Sequence, residues 1–345
     1  MASSRTRLTE LGTAVGLVLE PSARWPDALD HLEVPGIARD VWHPALAEAA
    51  ARPGAERDLL LRAVDNGRAF RARVLGGRRP ERIEWTGSAR TTWTSDVPRD
   101  LTVDGVWFVQ AKFDSTCVLN TSPASLADAL LADDGVATRR SWYAEVALAE
   151  LAAYYDAVRA DLAGATLLRP TGDGLPDDVR DLDGGHRRLL KAAMRGVPPS
   201  PAQDAAYAEL SRAVSIETAL RWQHRLRASS SAQRTQMLFR MLRIAGGPYW
   251  LLGTKGRRPV RLAVVDTRSW RDRFELRAFE VTAARVGQPQ VDWRAVVRTA
   301  DGDDRAVEGH CEIRWSHGKL QGNPECKVQV DTPLHQLPGY DPLGG

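Results

Sequence analysis

The stretch Ser95-Asp96-Val97-Pro98-Arg99-Asp100-Leu101-Thr102-Val103-Asp104-Gly105-Val106-Trp107-Phe108-Val109-Gln110-Ala111-Lys112 decides how the first third of the chain is read. Asp104-Gly105 stands between two strand-like runs, a hairpin signal because both residue types tolerate the positive φ of a tight turn. The run after the turn, through Phe113, is largely apolar, as expected of a strand covered on both faces. Alternate residues share a strand face, so Gln110 and Lys112 point one way and Ala111 the other. The hairpin then brings Asp100 beside them.

Working outward, Ala45, Leu46, Ala49 and Ala50 precede Pro53-Gly54, and Leu59, Leu60, Ala63, Val64, Phe70 and Val74 recur at helical spacing before Gly76-Gly77. The period then falls to two through Arg82-Ile83-Glu84-Trp85 and Thr91-Thr92-Trp93-Thr94. Downstream, residues 138–163 read as one helix, and the Pro-, Gly- and Asp-rich residues 169–185 read as a linker. Two or three helices fill 186–245, interrupted by Gly196-Val197-Pro198-Pro199 and Ser229-Ser230-Ser231. Beyond Gly246-Gly247-Pro248 the strand period returns in about six short runs. The expected organisation is an N-terminal segment of unassigned role (1–45), an α/β domain (46–168), a linker (169–185), a helical segment (186–245) and a C-terminal β-rich domain (246–345).

The 345 residues suffice for more than one domain, and 43% hydrophobic with 26% charged residues is ordinary globular usage. No apolar run approaches the roughly 18 residues of a spanning helix, and charges interrupt the N-terminus where a secretory leader would be apolar. The expectation is therefore a cytoplasmic chain with no membrane partner. Cys117, Cys311 and Cys326 form no CxxC pair, which argues against a zinc knuckle or a disulfide framework. Of 47 basic residues only Lys112, Lys191, Lys255, Lys319 and Lys327 are lysines. The Ala and Arg excess reads as a GC-rich genome. Where Arg is the default cation, a Lys marks a place for a compact ammonium of tunable pKa.

Pro98 and Asp100 entering one strand, a tight turn, and an apolar strand ending in Gln110-x-Lys112 resemble the core of the PD-(D/E)xK, or restriction-endonuclease-like, superfamily. Helix, β-meander, hairpin and following helix also occur in the order that core uses. The resemblance implies a nuclease-like α/β core, a mixed sheet flanked by helices, followed here by the helical segment and the mostly β module. It also implies a metal-dependent endonuclease hydrolysing DNA with Mg²⁺ or Mn²⁺, held by Asp100 and an acid from a preceding helix. Glu56 is the first candidate for that acid and Glu48 the second, with Asp114 a further carboxylate to watch. Gln110 would assist, and Lys112 would stabilise the transition state. Gln110 departs from the usual Asp or Glu, as in Mrr-like subgroups, and removes one anionic ligand. A non-catalytic scaffold binding nucleic acid or protein therefore stands as the alternative. Bacterial proteins of this resemblance often serve restriction or anti-phage defence, which implies a possible protein partner in a defence complex.

Cations near an aromatic ring suit a nucleic-acid backbone with a stacked base. On that ground Lys255, Arg257, Arg258, Trp270 and Lys319 are candidate nucleic-acid contacts, a solvated basic face being the ordinary alternative.

Overall fold

The computed structural model describes residues 4–20, 27–87, 97–114, 117–128, 141–164, 174–256, 258–284 and 287–343. Along the chain run α1 (Ser4–Val18), α2 (Arg39–Ala51), α3 (Ala55–Arg73), β1 (Ile83–Trp85), β2 (Leu101–Val103), β3 (Trp107–Phe113), β4 (Cys117–Thr121) and the single-turn α4 (Pro123–Leu126). There follow α5 (Trp142–Val146), α6 (Leu148–Gly164), α7 (Gly184–Met194), α8 (Pro201–Ala228) and α9 (Ser231–Met241). The last part holds β5 (Tyr249–Lys255), β6 (Arg258–Val264), α10 (Thr267–Arg273), β7 (Phe274–Ala283), β8 (Gln290–Thr299), β9 (Asp304–Arg314), β10 (Glu325–Val330) and β11 (Tyr340–Pro342).

These elements divide between two compact units, both discontinuous in sequence. The first comprises Met1–Thr116, Arg243–Phe274 and Pro333–Gly345, and the second Cys117–Leu242 and Glu275–Thr332. Contiguous domains were the sequence expectation. The difference arises because β5, β6 and β11 join the sheet of the Asp104-Gly105 hairpin instead of the C-terminal β module. Residues 1–45, to which the sequence assigned no role, supply the most deeply buried helix of the first unit.

The first unit is built on a six-stranded mixed sheet of order β1-β2-β3-β5-β6-β11. The pairs β1/β2, β2/β3, β5/β6 and β6/β11 are antiparallel, while β3 and β5 are parallel. Parallel strands require a long crossover, and here it carries the whole of residues 117–242. Helices α1 and α3 pack together and against this sheet. Their crossing is glycine-dependent: a Cβ on Gly16 would lie 2.0 Å from the Val64 carbonyl oxygen, and one on Gly67 2.2 Å from that of Thr13. The backbones touch, and α1 is buried from Leu8 to Val18. The core beneath combines Leu11, Val15 and Leu60 of the helices with Ile83, Leu101, Val103, Val109 and Leu252 of the strands.

The second unit has a sheet of order β4-β10-β9-β8-β7, antiparallel along β4/β10, β10/β9 and β9/β8. Strict alternation on β8 to β10 buries Val291, Trp293, Val307, Cys311, Ile313, Cys326 and Val328. Helix α8 packs on β8 and is tied to α5 by the Trp142 indole donating to Thr218 Oγ1 at 2.9 Å. The single helix expected over 138–163 is two, because Ala147 leaves helical geometry at φ −151, ψ 54. The helices expected within 186–245 form with the anticipated breaks. The strand expected at Thr91–Thr94 lies outside the described residues.

Candidate functional site

Asp100 precedes β2 and is fixed from both sides. Its carbonyl accepts from the Thr86 N–H at 2.9 Å and its own N–H donates to the Val109 oxygen at 2.8 Å. Its carboxylate Oδ2 accepts from the Ala111 N–H at 2.7 Å, the amide that lies between Gln110 and Lys112. Asp100 is thus pinned to the middle of the Gln110-x-Lys112 segment. Burial raises its pKa, opposed by the Ala111 hydrogen bond and the positive charges of Lys112 and Arg243. Loss of hydration penalises the charged form, while donors and cations favour it.

Lys112 is half-buried on β3 and pairs with Gly253 on β5. A Cβ on Gly253 would lie 2.0 Å from the Lys112 carbonyl oxygen, so only glycine lets the two strands meet there. Asn66 of α3 anchors the same point, its Nδ2 donating to the Gly253 carbonyl at 2.8 Å while its Oδ1 accepts from Arg261 at 2.8 Å.

Glu56 and Glu48, the helical acids expected from the sequence, both face solvent. Glu56 is exposed in the first turn of α3, where its charge complements the helix dipole. Glu48 is exposed and pairs with Arg52 at 3.4 Å. Asp114 is a turn residue, φ 44, whose Oδ1 accepts from the Gly256 N–H and closes the β5–β6 hairpin. The acid beside Asp100 is Glu10 of α1, which sequence reasoning missed. Glu10 is 4% exposed and its Oε2 accepts from the Trp85 indole N–H at 2.7 Å. Burial first, and the negative charge of Asp100 second, push its pKa to about 7, against the lowering effect of the Trp85 bond. One signal was available: Glu10 is an acid within a helix otherwise apolar enough to be buried on every side. Leaving residues 1–45 unassigned passes over it.

Buried Glu10 and half-buried Asp100 carry like charges that add to burial in raising the Glu10 pKa, with the Lys112 ammonium acting on Asp100 from the other side. Mg²⁺ keeps several waters and needs only one or two protein carboxylates, the number that Glu10 and Asp100 supply; Gln110 and Lys112 alternate with core-facing Val109 on β3 and so lie on the sheet face away from α1. Among the described residues, no group of three or more His, Cys, Asp or Glu side chains is arranged to hold a metal.

The nucleic-acid candidates separate. Lys255 and Arg258 are exposed and opposite one another across the hairpin turn at Gly256, φ 59. They lie at the end of the sheet where Phe113 pairs with Thr254, one residue beyond Lys112. Arg5 of α1 reaches the same end, its guanidinium 5.6 Å from the Phe113 ring centre. Arg257 lies outside the described residues. Trp270 is a correction: it is 1% exposed, donates to the Pro338 carbonyl at 3.1 Å and packs on Phe274, so its ring is core and has no face for a base. Lys319 belongs to the second unit, its ammonium 3.6 Å from the Tyr207 ring centre and 5.6 Å from that of Tyr154. Burial lowers its pKa, and the tyrosines hold it as an internal cation–π contact.

No helix among the described residues is long and apolar enough to cross a membrane. No protein-family model matches the chain, and neither do curated proteins or solved structures.

Proposed function

We propose that the chain is a metal-dependent nuclease that hydrolyses phosphodiester bonds in DNA, with Glu10 and Asp100 holding Mg²⁺ or Mn²⁺. The observation that carries this reading is the pairing of buried Glu10 with half-buried Asp100, the latter tied through the Ala111 N–H to the strand that bears Gln110 and Lys112. A divalent ion bound there would acidify water and neutralise charge on phosphate oxygens. Lys112 offers a fixed positive charge to the phosphorus centre as negative charge accumulates, and a dry, pre-positioned charge is effective at that task. In the overall reaction the oxygen of water bonds to phosphorus, one P–O ester bond breaks, and the leaving oxygen takes up a proton. Exposed Arg5, Lys255 and Arg258 supply cations for the flanking backbone, which needs charge more than sequence recognition. By the resemblance of the Asp100 to Lys112 segment, restriction or anti-phage defence in a bacterial cytoplasm, with a protein partner, is the associated role.

A second reading, a non-catalytic nucleic-acid or protein scaffold, is favoured by one observation: Gln110 stands where a third anionic ligand would complete the site. Incubating the full chain with plasmid, single-stranded DNA and RNA in Mg²⁺, Mn²⁺ or EDTA separates the two. The nuclease reading predicts metal-dependent cutting that falls ~100-fold or more in Glu10→Gln, Asp100→Asn and Lys112→Ala. Binding without cutting, indifferent to all three changes, supports the scaffold.

A further inference from the structure

Arg243 stands where the chain leaves α9, and its backbone is left-handed at φ 57. Leu242 caps the helix at φ −91, ψ 1, its N–H bonded to the Leu238 carbonyl at 2.8 Å. Glycine usually follows such a cap, because any Cβ crowds the neighbouring carbonyl in this conformation. An arginine held there keeps backbone strain for the sake of its side chain.

That side chain is half-buried, and its Nε is buried without a hydrogen-bond partner. Among the described residues Arg243 makes no ion pair with a carboxylate. The chain from Arg243 runs into β5 at Tyr249 past Gly247, where a Cβ would lie 3.3 Å from the side chain of Val97, three residues before Asp100, so Arg243 enters the unit at the Asp100 end of the sheet, and its charge favours the ionised Asp100 carboxyl. A left-handed backbone, a buried Nε with no partner and, among the described residues, no carboxylate on the guanidinium together suit an anion taken from outside the chain. Guanidinium binds phosphate through parallel N–H donors.

We propose that Arg243 is a substrate-binding and catalytic residue that grips a non-bridging oxygen of the DNA phosphate presented to Asp100 and Lys112. The inference rests on the nuclease reading and adds to it a second cation, one that no acid-x-Lys pattern contains. A divalent ion on Glu10 and Asp100 would balance the charge of those two carboxylates, which leaves the phosphate's own developing charge to Lys112 and Arg243. Arg243 adds its cation from the far end of the chain's crossover.

The test compares the full-length wild type with Arg243→Gly, Arg243→Gln and Arg243→Lys. Three quantities are measured: melting temperature, the salt dependence of duplex binding in EDTA, and kcat with KM for cleavage in Mg²⁺. Arg243→Gly removes the strain and should melt at or above the wild-type temperature. Its kcat should nevertheless fall ~100-fold, and the slope of log Kd against log salt should shrink by ~0.9, the loss of one phosphate contact. Arg243→Gln should match it in activity, and Arg243→Lys should recover part of the rate. A wild type that cuts while Arg243→Gly cuts equally well with an unchanged slope overturns the inference and leaves the nuclease reading intact. A wild type that binds but does not cut removes the hydrolytic reading, and the salt slope then decides Arg243: an unchanged slope overturns it. A wild type that neither binds nor cuts overturns both.

Discussion

The carboxylate of Glu10 accepts the indole N–H of Trp85 at 2.7 Å, and this bond joins the buried helix α1 to the edge strand β1. It holds an acid in the core of the first unit facing Asp100, where neither water nor a countercharge fully compensates either group. The consequence appears in stability before it appears in catalysis.

The pKa of Glu10 rises on folding from 4.5 to about 7, so the folded state binds more protons than the unfolded state between those values. Stability is therefore largest below pH 4.5 as far as this group is concerned, and is lost as pH rises through 7. Asp100 shifts in the same direction, moderated by Lys112 and Arg243. At ~1.4 kcal/mol per pKa unit, Glu10 contributes on the order of 3 kcal/mol to this slope. Denaturant unfolding from pH 5 to 8 in EDTA should show a decline that Glu10→Gln flattens and that millimolar Mg²⁺ reverses. A metal-free wild type whose stability rises with pH across that window contradicts the account.

Gln110→Glu adds the anionic ligand that this chain lacks. Divalent affinity should rise roughly 10-fold or more, as one extra carboxylate in a partly buried site is worth at least ~1.4 kcal/mol against a cation. Mn²⁺ titration measures this directly. Unchanged affinity would mean that position 110 does not reach the ion.

Gly16→Ala drives a methyl group into the Val64 carbonyl at 2.0 Å, and neither backbone can yield without separating α1 from α3. Overpacking commonly costs ~1–3 kcal/mol, and a backbone obstacle puts this change at the upper end. Because α1 also positions Glu10, metal affinity should fall together with the midpoint of chemical unfolding. Gly54→Ala, where a Cβ meets nothing within 4 Å, is not an equivalent control, since its φ of 140 is itself glycine-specific. Gly174→Ala, with open space and no such constraint, should change neither quantity.

Two residues grouped together by sequence as nucleic-acid contacts should behave oppositely. Trp270→Ala empties a buried ring site and should destabilise by roughly 3–5 kcal/mol. Lys255→Ala and Arg258→Ala should leave the melting temperature within about a degree and weaken duplex binding in a salt-dependent way, each lost phosphate contact lowering the salt slope by ~0.9. Anisotropy titrations at several salt concentrations check this. Equal affinity for the double variant would remove the hairpin from the binding surface.

The local signals in the sequence were accurate where the physics is local. Asp104 and Gly105 take positive φ, 51 and 73, and join β2 to β3 as their residue types require. Pro53-Gly54 separates α2 from α3, and Ser200 and Ser230 cap α8 and α9. What could not be read was decided by distant partners. The pairing of Val109 with Trp250 is parallel and spans residues 117–242 of the second unit, so nothing near either residue announces it. By sequence Trp270 groups with cations as a ring for a stacked base, and only its packing against Phe274 and its bond to the Pro338 carbonyl show it to be core. Glu10 defeats periodicity because a buried acid interrupts the apolar pattern that periodicity detects. Glu56 satisfied the rule for an acid opening a helix, but that position is stabilised by the helix dipole and faces solvent.

The most direct measurement is calorimetric titration of Mn²⁺ into the full chain at pH 6.5, in two buffers of different ionisation enthalpy, for wild type, Glu10→Gln and Asp100→Asn. The account predicts one ion bound by the wild type with measurable proton release, because Glu10 must give up its proton to ligate, and loss of both binding and release in the variants. A wild type that binds no ion, or a Glu10→Gln chain that binds as tightly and releases as many protons, would contradict it.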